Sequence, residues 1–145
     1  MRTQIIAFVI GFLVALAAFG QSEESVILKT ETGDIDGTLT MPDTKLPVPV
    51  ALIIAGSGPT DRNGNNPMMM NNSLKLLASE LAKKGIASLR YDKRGIAKSQ
   101  TSGIKEADLR FDMYVKDAVD WAQLLKQNKN FSQVVVASCE YLKIN

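Results

Sequence analysis

Gly56-Ser57-Gly58 is a glycine-rich turn that follows the apolar run from Val48 to Ile54. The apolar run predicts a buried strand, and the apolar spacing from Leu74 onward predicts a helix. A turn between a strand and a helix presents backbone N–H groups, which can stabilise the negative charge that forms when a carbonyl group is attacked. Glycine lets the backbone approach a substrate because it carries no Cβ. We therefore interpret Gly56, Ser57 and Gly58 as candidate oxyanion-binding residues, with the Ser57 N–H as the first candidate donor.

A second motif, RYDKRG, follows the next apolar run along the chain. Asp92, Arg94 and Gly95 predict a turn that is held by charge-assisted hydrogen bonds. Asp61 and Arg62 place the same charges just after the glycine-rich turn, and we interpret them as structuring that loop. An acidic group on a substrate is the alternative partner for Arg62.

The elements that must position these motifs alternate in type along the chain. Ser25 to Thr32 and Ile35 to Met41 predict an antiparallel hairpin with its turn at Gly33-Asp34. Three apolar runs then predict parallel strands: Val48 to Ile54, Ile86 to Leu89 and Phe131 to Ala137. A strand, a helix and a strand in this order predict a right-handed crossover between parallel neighbours.

Two helices are predicted between these strands from apolar residues spaced by three and four. Asn72 or Ser73 is expected to cap the first helix, and Gly85 is expected to end it. The apolar stripe of the first helix comprises Leu74, Leu77, Ala78, Leu81 and Ala82. The apolar stripe of the second helix comprises Phe111, Val115, Ala118, Ala122 and Leu125, with Asp117 off that stripe.

The two motifs together resemble the α/β-hydrolase superfamily. The exported serine hydrolases of this superfamily have a similar pattern, in which GSGPTDR, N and GN follow one strand and RYDKRG follows the next. The resemblance covers roughly Ser25 to Ala137. The resemblance implies hydrolysis of an ester, thioester or peptide bond through a serine nucleophile, with a small acyl or peptide substrate. The implied fold is an α/β sandwich of hydrolase type, incomplete, with an N-terminal β-hairpin followed by a parallel β-α-β-α-β unit.

The resemblance places the nucleophile directly after Phe131 to Ala137, where a G-x-S-x-G elbow is expected. The sequence there is ASCEY, so Ser138 and Cys139 are weak nucleophile candidates without the flanking glycines. The chain contains no histidine, so it offers no imidazole as the usual general base. We therefore expect this chain to be catalytically incomplete, as a fragment, a shifted reading frame or a premature stop would make it.

The N-terminus has the pattern of a secretory signal peptide. Arg2 provides the positive charge, and Ile5 to Phe19 is an uncharged apolar run. Ala18 and Gly20 favour cleavage after Gly20, and an earlier site at Ala15 and Ala17 is the alternative. We expect residues 1–20 to be removed and residues 22–145 to form one exported domain, periplasmic or extracellular. The run is shorter than the ~20 apolar residues of a spanning helix, so no stable membrane span is expected after cleavage.

Composition and motif spacing argue against several other classes of function. The 145 residues carry 17 basic and 15 acidic side chains without a basic run, which disfavours nucleic acid as a partner. Asp61 stands where a third glycine would complete a dinucleotide motif. Ligands of a calcium-binding loop occupy alternate positions, as Asp61, Asn63 and Asn65 do here. Such a loop also needs a glycine and a glutamate, and this sequence has Asn66 and Asn72 in their places. We therefore expect no cofactor and no metal.

The strongest alternative is a non-catalytic exported α/β protein or a fragment that depends on a partner. If the sheet ended at Phe131 to Ala137, that strand would have an unpaired edge and partly uncovered apolar residues. Because unpaired strand edges favour association between chains, self-association is expected.

Overall fold

The structure is a computed structural model and describes residues 20–100 and 105–138. The predicted signal peptide lies outside the described residues apart from Gly20. The main elements, in chain order, are β1 (Gln21–Thr30), β2 (Gly33–Pro42), β3 (Val48–Ile54), α1 (Ser73–Lys83), β4 (Ala87–Tyr91), α2 (Phe111–Gln127) and β5 (Phe131–Ser138). Short 3-10 turns span Ala97–Ser99 and Glu106–Asp108. No helix in the described part of the chain is long and apolar enough to cross a membrane.

The five strands form one mixed sheet in the order β1-β2-β4-β3-β5. β1 and β2 pair as an antiparallel hairpin, and β3 pairs in parallel with both β4 and β5. This arrangement confirms the predicted hairpin followed by a parallel β-α-β-α-β unit. It also confirms that β3 and β4 are parallel neighbours joined through α1.

Two apolar clusters cover the two faces of the sheet. Alternate residues of β3 contribute to each, with Val50 and Leu52 in the larger cluster and Ala51 and Ile53 in the smaller. The larger cluster contains Trp121 of α2, whereas the smaller contains residues of α1. The nearly continuous apolar sequence of β3 is therefore explained by burial on both faces.

The hairpin turn differs from the prediction by two residues. Thr30 pairs with Gly33, so the turn consists of Glu31 and Thr32 rather than Gly33 and Asp34. Two features favour this turn. The Thr30 hydroxyl donates to the Gly33 carbonyl at 2.6 Å. Gly33 has a φ of 125°, which residues other than glycine rarely adopt. The position of the turn therefore follows from the glycine conformation and a threonine side chain.

The first helix confirms most of its predicted stripe. Leu74, Ala78 and Ala82 are buried and Leu81 packs against the smaller cluster, but Leu77 is exposed. Asn72 is the N-cap residue, with a left-handed φ of 52°, and its side chain makes no capping hydrogen bond.

The apolar stripe predicted for the second helix was wrong at its N-terminal end. Phe111 and Val115 are 78% and 46% exposed, whereas the buried residues of α2 are Asp117, Trp121 and Leu125. Asp117 forms a buried ion pair with Arg94. Asp117 and Trp121 are four positions apart on the same face of α2. Trp121, rather than Phe111, therefore faces the sheet and packs near Tyr91, with ring centroids 5.8 Å apart.

Candidate functional site

The glycine-rich turn lies at the edge of the sheet where the parallel strands end. Gly56 follows the carboxyl end of β3, and Ser57 and Gly58 are exposed. Ser138, the last residue of β5, is paired in register with Ile54 and is also exposed. The turn and the end of β5 therefore share one edge of the sheet. Cys139, the other weak nucleophile candidate, lies outside the described residues.

Asp61 organises the loop that follows the turn. Its Oδ1 accepts hydrogen bonds from the N–H groups of Asn63, at 2.8 Å, and Asn65, at 2.9 Å. The Asn63 carbonyl in turn accepts the N–H of Leu74 at 3.0 Å. Because Leu74 lies in the first turn of α1, whose N–H groups lack partners within the helix, this contact joins the loop to the helix. The Asn71 side chain, rather than that of Asn72 or Ser73 as the sequence predicted, accepts the N–H of Ser73 at 3.0 Å.

Arg62 binds Asp92, so the two sequence motifs contact each other directly. The Asp92 carboxylate accepts the Arg62 backbone N–H at 2.7 Å, and its Oδ2 accepts Nη2 at 2.6 Å and Nε at 3.1 Å. Arg62 Nη2 also lies against Oδ1 of Asp36. Burial lowers the pKa of Arg62, but the hydrogen bonds to Asp92 and Asp36 outweigh that effect and raise the pKa overall. Arg62 is therefore a buried cation with two carboxylate partners.

Arg94 makes its ion pair with Asp117, not with its neighbour Asp92 as the sequence suggested. Its Nε and Nη2 donate to the two Asp117 carboxylate oxygens at 2.7 and 2.6 Å, and both side chains are buried. Its guanidinium also donates to the hydroxyls of Thr32, in the hairpin turn, and Thr30, at the end of β1. Arg94 therefore joins the loop after β4 to α2 and to the hairpin. Gly95 follows with a φ of 77°, in the region that favours glycine.

Sequence reasoning did not identify Lys93 and Arg90 as candidate site residues. Lys93 Nζ donates to the carbonyls of Gly56 and Gly58, and burial lowers the pKa of Lys93. Arg90 is fully buried, and its guanidinium donates to Glu23 and Asn63. Burial lowers the pKa of Arg90, with Glu23 acting in the opposite direction. Arg90 and Lys93 both belong to the RYDKRG motif, and that position could have marked them as candidates. The partners of their side chains, however, cannot be deduced from a position in the motif.

No family model matches the chain. The chain is 31% identical over 104 residues to Esterase EstD of Thermotoga maritima, an alignment that covers 70% of this chain and 24% of that protein. It superposes on the alpha/beta hydrolase GrgF from Penicillium sp. sh18 with a TM-score of 0.61, at 19% identity, over 81% of this chain and 37% of that one. Dienelactone hydrolase from Anabaena variabilis gives a TM-score of 0.54 at 20% identity, over 83% and 51%.

The chain belongs to the α/β-hydrolase superfamily. It spans about a quarter of the curated relative and between about a third and a half of these two solved structures. The described residues thus form part of an α/β-hydrolase fold, and that part includes the loops that follow β3 and β4.

Within residues 20–100 and 105–138, no group of three or more His, Cys, Asp or Glu side chains is arranged to hold a metal ion. The polar groups near the turn are instead ion pairs and backbone amides. Such groups can bind an anion and can hold a loop in one conformation. They do not themselves include a general base of the histidine type.

Proposed function

We propose that this chain provides the oxyanion-binding part of an acyl hydrolase that cleaves esters. Two observations support an ester over the thioester and peptide alternatives, namely the 31% identity to a protein named an esterase and the likeness in fold to a dienelactone hydrolase. The observation that carries the proposal is the Gly56–Gly58 turn, which is exposed at Ser57 and Gly58, lies at the same end of the sheet as the end of β5, and has the carbonyls of Gly56 and Gly58 bound to Lys93.

The proposed chemistry follows from charge. Attack on an ester carbonyl moves negative charge onto the carbonyl oxygen, and a fixed N–H donor stabilises that charge without having to reorient. The Ser57 N–H is the proposed donor, because Ser57 is exposed and its N–H has no acceptor among the described residues. Loss of one such donor typically costs about 3 to 4 kcal/mol of transition-state stabilisation.

We further propose that the chain by itself does not turn over esters. Ser138 occupies the end of β5 in register with Ile54, but the chain contains no histidine to accept its proton. The imidazole would therefore have to come from outside these 145 residues, and the nucleophile from a suitable elbow other than Ser138.

Export is also a proposal, supported by the sequence pattern of residues 1–20. Mass spectrometry of the protein recovered from a secreting host would test it. We expect the mature chain to begin at Gln21, and an intact N-terminus in the cytoplasm would contradict export.

The anion site can be tested by NMR with methylphosphonate, a tetrahedral anion that resembles the charged intermediate. In ¹⁵N-labelled full-length chain we expect saturable shifts of the Ser57 and Gly58 amide signals, with the exposed loop amides of Asp43 and Thr44 as controls. If the Ser57 and Gly58 signals do not move, or move no more than the controls, the oxyanion-binding proposal is wrong.

Catalytic incompleteness is tested separately with nitrophenyl acetate and a fluorophosphonate probe. We expect neither hydrolysis above a heat-killed control nor labelling of a serine. Robust hydrolysis that Ser138→Ala or Cys139→Ala abolishes would show instead that the chain is a complete enzyme.

A further inference from the structure

Lys93 is a cation whose hydrogen bonds go to backbone carbonyls instead of to a carboxylate. Its Nζ donates to the carbonyl of Gly56 and, at 2.9 Å, to the carbonyl of Gly58. Within the described part of the chain Lys93 makes no ion pair. The side chain is half-buried, so this ammonium group is held against the turn at some cost in hydration.

The geometry of the peptide group connects this contact to the proposed donor. In a trans peptide the C=O of one residue and the N–H of the next point in opposite directions because the unit is planar. The Gly56 carbonyl and the Ser57 N–H belong to the same peptide unit. Since Lys93 holds the carbonyl on one side, the Ser57 N–H is directed to the other side, away from Lys93.

The Gly58 carbonyl, which is the second acceptor of Lys93, restricts the conformation of the turn further. The Gly58 carbonyl accepts from Lys93 Nζ and also from the Thr60 N–H at 2.9 Å. Its peptide unit contains Pro59, which has no N–H. Gly58 itself has a φ of 88°, which glycine adopts without strain. The turn is therefore held from its carbonyl side at two points.

The neighbours of Lys93 show that this contact is specific to one residue of the motif. Asp92 binds Arg62, and Arg94 binds Asp117. Of these three consecutive charged residues, Lys93 alone donates to the Gly56–Gly58 turn.

We propose that Lys93 is a positioning residue that orients the Ser57 N–H and increases its strength as a donor through the Gly56–Ser57 peptide. This inference rests on the proposed function of the turn as an oxyanion site. A cation bound at the carbonyl oxygen draws electron density from the peptide unit, so the N–H at its opposite end becomes a better donor.

Three variants of the full-length chain test the proposal. Lys93→Met removes the donor but keeps most of the side-chain volume, and Lys93→Arg restores a cationic donor. Lys98→Met is the matched control, because Lys98 is an exposed lysine of the same loop. For each variant we measure the Ser57 and Gly58 amide shifts, the affinity for methylphosphonate, and stability in urea.

In Lys93→Met we expect displaced Ser57 and Gly58 amide signals and a methylphosphonate affinity that is about tenfold weaker or worse, as for the loss of a charge-assisted hydrogen bond. We expect Lys93→Arg to recover most of that affinity and Lys98→Met to behave as the wild type. A merely structural role would lower stability without this change in affinity and without rescue by arginine. Wild-type amide shifts and affinity in Lys93→Met would overturn the proposal.

Two further readouts keep the result decisive. If Lys93→Met does not fold, the ¹⁵Nζ signal of Lys93 in the wild type is measured, and ammonium protons that exchange as fast as those of Lys98 would overturn the proposal. If the wild type does not bind methylphosphonate, the proposed function of the turn fails. The amide shifts of Ser57 in Lys93→Met then decide whether Lys93 positions the turn.

Discussion

The Asp92 carboxylate accepts both the backbone N–H and the guanidinium of Arg62, although the two residues are 30 positions apart. Arg62 lies in the loop after β3, and Asp92 lies directly after β4. Because β3 and β4 are parallel neighbours, their carboxyl ends meet at the same edge of the sheet, where this pair connects the two loops. The RYDKRG motif therefore supports the glycine-rich loop physically.

Removal of the Asp92 charge is expected to destabilise the fold strongly. Asp92→Asn leaves the buried Arg62 guanidinium without one of its two carboxylate partners, and breaking such a pair costs about 3 to 5 kcal/mol. The free energy of unfolding in urea measures this loss. Asp43→Asn, at an exposed aspartate, is expected to change it by less than about 0.5 kcal/mol.

A triple variant separates the loss of one partner from the loss of the whole ion-pair group. Arg62→Met with Asp92→Leu and Asp36→Asn removes the cation and the charges of both its carboxylate partners, so it is expected to be more stable than Asp92→Asn alone. A triple variant that is less stable than Asp92→Asn would mean that Asp92 does not act mainly as the partner of Arg62.

Asp117 is predicted to determine how α2 packs on the sheet. Asp117→Asn leaves Arg94 as a buried cation without its carboxylate, so we expect a loss of about 3 kcal/mol or more in unfolding free energy. We also expect increased exposure of Trp121, which a red shift in tryptophan fluorescence would detect. Asp120→Asn, which breaks the surface pair with Lys116 on the same helix, should cost about 0.5 kcal/mol or less.

Gly64 and Gly85 allow a matched test of the loop that leads into α1. Both have positive φ, 93° and 76°, so alanine is strained at either position. A Cβ at Gly64 would also collide with the Ser73 hydroxyl, whereas a Cβ at Gly85 meets nothing within 4 Å. We expect Gly64→Ala to be less stable than Gly85→Ala by about 1 kcal/mol or more. Equal losses of stability for the two variants in thermal or urea unfolding would show that the loop around Gly64 can move away from the start of α1 at no cost.

Alkaline unfolding should depend on Tyr91. Burial, with a smaller effect from Asp117, raises the pKa of Tyr91 above its ordinary value of 10.0. Above pH 10 the unfolded tyrosine loses its proton while the folded one keeps it, so stability falls as pH rises. This loss amounts to at most about 1.4 kcal/mol for each pH unit.

Tyr91→Phe removes that dependence, so we expect its stability to fall less steeply than that of the wild type above pH 10. The comparison cancels the other titrating groups that both proteins share. Tyr114→Phe, at a less buried tyrosine of α2, serves as the control. Parallel curves for wild type and Tyr91→Phe in urea unfolding would contradict the prediction.

The β5 edge is predicted to promote self-association of the chain. Among the described residues β5 pairs only with β3, and Val135 and Val136 are 47% and 55% exposed. Val136→Lys is expected to reduce association seen by size-exclusion chromatography with light scattering, because a charge on an edge strand opposes pairing. Val119→Lys places the same change at an exposed valine of α2 and should have a smaller effect. A monomeric wild type that melts cooperatively would refute this prediction.

The order and type of the main elements could be predicted from the sequence because they depend on local patterns. The β-branched run from Val48 to Ile54 and the periodic apolar residues from Leu74 onward each predict one element without knowledge of the rest. The same holds for the glycine-rich turn, whose position after a strand is a local property. The resemblance to α/β-hydrolases depended on two such local motifs.

The partners of the charged residues could be decided only by the tertiary structure. Asp92, Lys93 and Arg94 are consecutive in sequence, yet they bind a loop arginine, two turn carbonyls and a helix aspartate. The sequence favoured Asp117 as a solvent-facing residue and Phe111 as a buried one, and the reverse is observed. Periodicity records only the average polarity of a face, whereas a buried ion pair depends on which distant element carries the opposite charge. That choice is made when the sheet order brings the elements together.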